Sequence, residues 1–319
     1  MFTSLRLIGS VGAVGTTLLI GLIRVQAHEG PEHEIEELTE QIAKGETADL
    51  LLQRAIEYRV LGRNNEAGRD LEQAVRLDPA SSLIQSELGR VYFTLGKTNE
   101  AIDLLSEALK TKTDDPTTLG ALRVLRAEFL GARSENRKAL DDCEAAIRTQ
   151  LSNVEWYLLR SDLHRRLHQK KERIAGLDQG ILETGAGILE IERVEALLDD
   201  RQFQAALPSI ERELHSSRIR SSWLIRRARA RLGLGEKESA KRDLESALRE
   251  IVPRMAGATA NATLLTERAL AHELLGDNEA ARVYYKQARE AGAEDWVQDK
   301  IKALKAEKDT AVEDETATK

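Results

Sequence analysis

From residue 55 onward the sequence returns on itself at a fixed interval of 34 residues: Ala55, Tyr58, Gly62, Ala67, Leu71 and Ala74 recur as Gly89, Tyr92, Gly96, Ala101, Leu105 and Ala108. Such a period excludes a fold wrapped around one central core. Each period is a supersecondary unit that buries its apolar face only against its neighbours. Small residues continue at the eighth position of each unit, as Ala127, Ser161, Ala228 and Ala269, with Val194 the exception. A second small series follows twelve positions later, at Ala67, Ala101, Ala139, Ala206, Ala240 and Ala281, and a third at Ala74, Ala108, Ala146, Gly180, Ala247 and Ala288. Large apolar residues, or Cys143, occupy the twenty-fourth position. Side chains this small let two antiparallel helices approach closely, and the bulk then fills the space between hairpins.

Small at 8, aromatic at 11, Gly near 15, Ala at 20 and 27 and Pro near 32: this pattern resembles the tetratricopeptide repeat family. The resemblance implies an all-α fold, a right-handed α-solenoid of helix-turn-helix repeats closed by a C-terminal capping helix. Seven units are expected, at 48–81, 82–119, 120–153, 154–186, 187–220, 221–261 and 262–295. Units four and five depart from the pattern, with Arg173 and Glu213 at Ala positions and Pro208 inside the second helix of unit five. A helix start near Ala205 would put Pro208 in the first turn, where its missing N–H costs little. Residues 28–47 form an acidic segment whose Ile35, Leu38 and Ile42 predict an amphipathic helix before the first unit. A capping helix is expected over 296–308, with Ile301 and Leu304 on its apolar face and Lys300, Lys302 and Lys305 outside it. Two spacers lengthen the period, at Thr113–Pro116 and at Val252–Asn261. The second, with Pro253 and Gly257, is the expected hinge. Residues 309–319 lack apolar content and are expected to be disordered.

Residues 1–27 read as an export signal. Arg6 precedes an uncharged run of 17 residues, Leu7 to Ile23, and Val25 and Ala27 supply the small residues of a cleavage site. The expected mature chain starts at His28 in the periplasm or outside the cell. If the run stays attached, it anchors a periplasm-facing protein in the inner membrane.

Composition removes several functions. Of 319 residues only 12 are aromatic, too few to build stacking platforms for single strands or sugars. The chain holds 47 basic and 54 acidic residues; without Arg6 and Arg24, the only charges before residue 28, the body has 45 basic against 54 acidic, a net −9 that repels phosphate backbones. A lone cysteine, Cys143, forms no internal disulfide, and its interhelix position predicts a buried, inert thiol. The sequence contains no phosphate-loop, nucleophile-elbow or zinc-protease motif, so neither catalysis nor a cofactor is expected.

The resemblance implies instead a concave face lined by the first helix of every unit. At its ninth, twelfth and thirteenth positions stand Arg59, Arg90, Glu128, Asp162, Arg165, Arg166, Glu195, Arg229 and Glu273, and these are the candidate groove residues. Acids in the centre with arginines on either side predict a basic or mixed-charge peptide or protein ligand. The Lys and Asn pattern by which some family members grip a C-terminal carboxylate is replaced by Leu52, Ile56, Glu87 and Ala121, so that mode is not expected. His164 and His168 lie four apart on one helix, but Arg165 and Arg166 beside them oppose a cation, and His164 and His272 occupy packing positions. Cleavage after Ala27 would expose an amine on His28 that, with His33, makes the alternative of an envelope metal-handling protein. The expected function is an exported, non-catalytic binding scaffold, with the metal protein and a membrane-tethered assembly factor as alternatives.

Overall fold

The computed structural model describes residues 30–110, 115–149, 153–255 and 261–305. The expected export signal with His28, the chain 309–319 and parts of both spacers lie outside the described residues. Among the described residues there are sixteen helices and no strand. They are α1 (Pro31–Lys44), α2 (Ala48–Val60), α3 (Asn64–Leu77), α4 (Ser82–Thr94), α5 (Thr98–Ala108), α6 (Pro116–Ala132), α7 (Asn136–Ile147) and α8 (Val154–Arg166). Then follow α9 (Lys170–Thr184), α10 (Gly187–Asp199), α11 (Phe203–Ser216), α12 (Ser221–Gly233), α13 (Lys237–Met255), α14 (Ala262–Leu275), α15 (Asn278–Glu290) and α16 (296–305). They fall into two compact units, an N-terminal one ending at Leu189 and a C-terminal one beginning at Glu190.

Local chemistry fixes where each hairpin starts. Side chains of Thr47, Ser81, Asp115, Asn153 and Asn261 accept the first free N–H groups of α2, α4, α6, α8 and α14, at 2.8 to 3.4 Å. The cap at Asp115, with Pro116 at the first helical position, starts α6 four residues before the expected Gly120. In α12 the cap comes from another helix: the Glu250 carboxylate of α13 accepts the N–H groups of Arg220 and Ser221 at 2.9 to 3.2 Å. Within each hairpin the fifteenth residue takes a left-handed backbone. Gly62, Gly96, Gly235 and Gly276 do so with φ between 72° and 82°, and Ser134, His168 and Arg201 adopt it without glycine at 64°, 56° and 59°. His168 is therefore a turn residue, set in that conformation by its place in the repeat.

The periodic small residues form the packed interior. Ala55, Ala127, Ala228 and Ala269, and the whole series Ala67 to Ala281, are fully buried, as are Leu71, Leu105, Cys143, Leu177, Ile210, Leu244 and Tyr285 at the twenty-fourth position. Gly180 shows why size matters, since a Cβ there would stand 2.7 Å from the Tyr157 ring. The ends are covered within each unit. In the N-terminal unit α1 buries Ile35 and Leu38, and in the C-terminal unit α16 buries Val297 and Leu304 in the cluster that holds Tyr285 and Ala288. Lys300 departs from the expected outward position: its Nζ donates to Glu273 at 2.5 Å.

A second periodic device was not read from the sequence. The arginine at position 7 grips the aspartate at position 23 with two hydrogen bonds, in Arg54–Asp70 (2.7 and 2.8 Å), Arg126–Asp142 (2.7 and 2.6 Å) and Arg227–Asp243 (3.0 and 2.7 Å). Repeat four keeps the arginine, and Arg160 donates to the Gly176 carbonyl at 2.7 Å. In repeat seven Arg268 lies over the Tyr284 ring, 4.0 Å from its centroid.

One expectation about a proline is corrected. Helix α11 starts at Phe203, not near Ala205, and Pro208 is its sixth residue, past the first turn. The Gln204 carbonyl loses its intrahelical donor, which is tolerated because Gln204 and Pro208 are both exposed to water. Helix α13 runs through Pro253 to Met255, so the start of the expected hinge is helical; residues 256–260 lie outside the described residues. Arg173, at an Ala position, is accommodated by burial and a 3.2 Å bond from its Nε to the Ser161 hydroxyl, itself one of the small residues at position 8.

Candidate interaction surface

First helices carry the candidate residues because positions 9, 12 and 13 follow the buried position 8 around the same helix. In the N-terminal unit three of these helices form a charge ladder. Arg59 of α2 donates to Glu87 of α4, and Arg90, one turn further along α4 and 48% exposed, holds its Nε 3.8 Å from the same carboxylate. Glu128 of α6 is exposed. Protein groups around its carboxyl displace enough water to raise its pKa above the ordinary value, and Arg90 pulls it partly back. Between these charges stand apolar side chains open to water: Ile56 (38% exposed), Val60 (66%) and Phe93 (36%). Phe93 stacks on Phe129 of α6 with centroids 4.5 Å apart.

Asp162 is buried and already neutralised: Arg165 reaches it at 2.5 Å and Arg166 at 2.7 Å, three and four residues along α8. Arg166 also donates to the Gly131 carbonyl of α6 at 2.9 Å. His164 is buried, its Nδ1 2.9 Å from the Gln169 side-chain oxygen.

In the C-terminal unit the ladder is sealed. Glu195 of α10 is 1% exposed and accepts from Arg226 Nε at 2.8 Å and Arg229 Nη1 at 2.5 Å, both from α12. Burial opposes its charge, yet the two guanidinium groups outweigh burial and hold the carboxyl below the usual range. Arg229 Nη2 lies 3.7 Å from Asp199, and Arg226 packs over the Trp223 ring at 5.0 Å. Glu273 of α14 accepts the Tyr285 hydroxyl at 2.6 Å as well as Lys300.

The nine candidates therefore divide. Arg59, Arg90 and Glu128 share one accessible face; Asp162, Arg165 and Arg166 satisfy one another; Glu195, Arg229 and Glu273 belong to a buried network. Of the three central acids expected to attract a basic peptide, Asp162 and Glu195 have their charge met by arginines on their own or the adjacent first helix, and Glu128 alone stays exposed. The exposed partners Val60 and Phe93 are legible in the sequence as apolar residues at positions 13 and 12, among the charged ones.

His33 lies 3.3 Å from Glu37 one turn away. Among the described residues no three His, Cys, Asp or Glu side chains are grouped to hold a metal ion. The Cys143 thiol donates to the Trp156 carbonyl at 3.2 Å, and burial pushes its pKa up to about 12, so it is a packing group and not a nucleophile.

Residues 61–123 match the family profile described as tetratricopeptide repeat. Among solved structures, a tetratricopeptide repeat protein from Parabacteroides merdae is similar at 18% identity over 85% of this chain and 99% of its own, with a TM-score of 0.57. Yeast Tom70 is similar at 17% identity over 88% of this chain and 60% of its own, with a TM-score of 0.52. No curated protein matches the chain. The chain is thus similar to tetratricopeptide repeat proteins at residues 61–123 and takes their fold over most of its length.

Proposed function

We propose that the chain is an exported, non-catalytic scaffold that holds a peptide or protein segment on the first-helix face of its N-terminal unit. The observation that carries this reading is the exposed apolar group Ile56, Val60 and Phe93 set among Arg59, Arg90 and Glu128. Isolated exposed apolar residues need no explanation, but three of them at groove positions 9, 13 and 12 beside an open ladder of both charge signs offer a ligand apolar anchorage and ionic register together. The ligand chemistry that fits is a mixed-charge segment with at least one apolar side chain. Export is supported by the basic start, apolar run and small-residue cleavage site of residues 1–27.

A photo-crosslinking side chain placed at Phe93 of the full-length protein in its native envelope tests the site. A discrete adduct is expected there and not at the exposed Val283, and it should fade in an Arg90→Glu background and at high salt. Equal adducts at both positions, or none at Phe93, would refute the face. N-terminal sequencing of the same preparation should begin at His28; a start at Met1 removes cleavage from the proposal.

A further inference from the structure

The end of the α12–α13 hairpin where α12 starts and α13 finishes lies outside the first-helix face, at the turns between repeats. Residues 217–220 join α11 to α12, and the Glu250 carboxylate that accepts the Arg220 and Ser221 N–H groups holds this connection against the last turns of α13. Arg218, Ile219 and Arg220 are exposed on the connection, as are Arg249 and Val252 on α13. Ile219 is 52% exposed and Val252 45%. Glu250 is already committed, to the α12 N-terminus and to Arg254 at 3.6 Å. Among the described residues no carboxylate stands within ion-pair distance of Arg218, Arg220 or Arg249. Cations on the flanking hairpins are closed, Arg212 by Glu190 and Arg289 by Asp295. In a chain with more acids than bases, this end keeps a local surplus of positive charge.

A single exposed aliphatic side chain is ordinary, but here two stand at one hairpin end with three open guanidinium groups. Guanidinium forks match phosphate oxygens, and aliphatic side chains beside them gain by leaving water at the same surface. An acidic peptide would answer the arginines yet leave Ile219 and Val252 in water, because a turn end has no facing wall to seat an apolar side chain against them. The interface of a bilayer takes both, phosphates above and hydrocarbon below. We infer that this end of the C-terminal unit docks on an anionic phospholipid surface, its arginines on the headgroup phosphates and Ile219 and Val252 at the acyl boundary, independently of the face on the N-terminal unit.

An environment-sensitive nitrobenzoxadiazole label on Ile219→Cys in the full-length protein tests this. The label goes there selectively, since Cys143 is buried and its thiol is pushed up to about 12. It reports contact at this end of the hairpin, so residues 1–27, retained or removed, do not decide the signal. Brighter, blue-shifted emission is expected on vesicles of one part phosphatidylglycerol to three parts phosphatidylcholine, fading at high salt, and no change on phosphatidylcholine alone. Each arginine near an anionic surface contributes about fivefold in affinity, so Arg218→Gln, Arg220→Gln and Arg249→Gln together should weaken the response about a hundredfold while the unfolding midpoint stays put. Lysine at the same three positions should retain most of it. The same label on Val283→Cys of α15 should stay dark. An unaffected glutamine variant, an equal response on phosphatidylcholine alone, or an equal response at Val283 would each overturn the inference. Polyglutamate producing the same emission change without vesicles would make the occupant an acidic polypeptide and overturn it too. The Phe93 adduct should persist in the glutamine variant, so the N-terminal face and the lipid contact can each fail alone.

Discussion

In the N-terminal unit the acid at position 9 of repeat three, Glu128, stands exposed with Arg90 as its nearest electrostatic counterweight, whereas in the C-terminal unit the acid at the same position of repeat five, Glu195, is buried between Arg226 and Arg229. The helix register is the same. What differs is the neighbouring first helix. Helix α4 offers Glu128 one arginine that is shared with Glu87, while α12 offers Glu195 two, one of them covered by Trp223. A position in a repeat therefore sets where a side chain goes, and the residues one repeat away decide whether its charge is available to a ligand or is consumed by the fold.

The largest test removes the acid from the sealed side. Glu195→Ala leaves Arg226 and Arg229 buried without their shared carboxylate, and truncating one partner of a buried pair costs about 3–5 kcal/mol. Denaturant unfolding followed by Trp223 fluorescence should show the C-terminal unit melting early. A loss no greater than that of Glu128→Ala would break the comparison. The contribution also has a pH sign. Because the Glu195 carboxyl is held below its ordinary value when folded, its stabilisation is complete above the unfolded value, about 4.3, and disappears as pH falls through the lower folded value.

The Arg–Asp grips sharpen the comparison because they occur in both units. Arg126→Leu strands the Asp142 carboxylate, which is mostly buried, and should cost about 2 kcal/mol. Repeat two shows that the pair has an apolar substitute, since Leu88 and Leu104 occupy the same two positions. The double variant Arg126→Leu with Asp142→Leu should thus recover most of the loss, read as a coupling energy in thermal or urea melts. The matching pair of variants at Arg227 and Asp243 should behave alike. If it does not, burial differs between the units in more than their first-helix faces.

How much of this was legible follows from what a period records. The small and bulky series report helix packing directly, so Ala67 or Leu105 announce the fold, and the glycines at position 15 announce the turn. Gly near position 15 was read, but Ser134, His168 and Arg201 hold the same left-handed turn without glycine, and a pair of histidines four apart drew attention that belonged to the backbone. The 16-residue Arg–Asp spacing was present in plain letters at residues 54 and 70, 126 and 142, and 227 and 243, and could have been found by asking which charges recur with the period. The availability of Asp162 and Glu195 could not, because their partners lie a turn away or 31 and 34 residues away, and a sequence does not say which of many arginines closes on them.

Those three turns give the next smaller effect. A non-glycine residue in the left-handed region costs about 1–2 kcal/mol, and glycine returns part of that as unfolded-chain entropy of about 0.4–1 kcal/mol. Ser134→Gly and His168→Gly in one unit and Arg201→Gly in the other should each raise stability by about 0.5–1 kcal/mol. Equal gains at all three would separate turn chemistry from the difference between the faces; a loss at Arg201 alone would mean that its side chain makes a contact the other two turn residues lack.

The smallest effect probes the open face. Since the Glu128 carboxyl is raised when folded, the folded chain holds that proton more tightly than the unfolded one, so ionisation subtracts stability above the folded value and nothing below the unfolded value. Glu128→Gln keeps the shape and removes the charge. It should be more stable than the parent at pH 7 by about half a kcal/mol or less, as expected for an exposed site, and the difference should close as pH falls toward about 4.3. Glu195→Gln run through the same titration should show the reverse: a deficit at neutral pH that persists at this point and narrows only in stronger acid. Parallel curves for the two variants would mean that the faces differ in exposure alone, and that both acids feel their arginines equally.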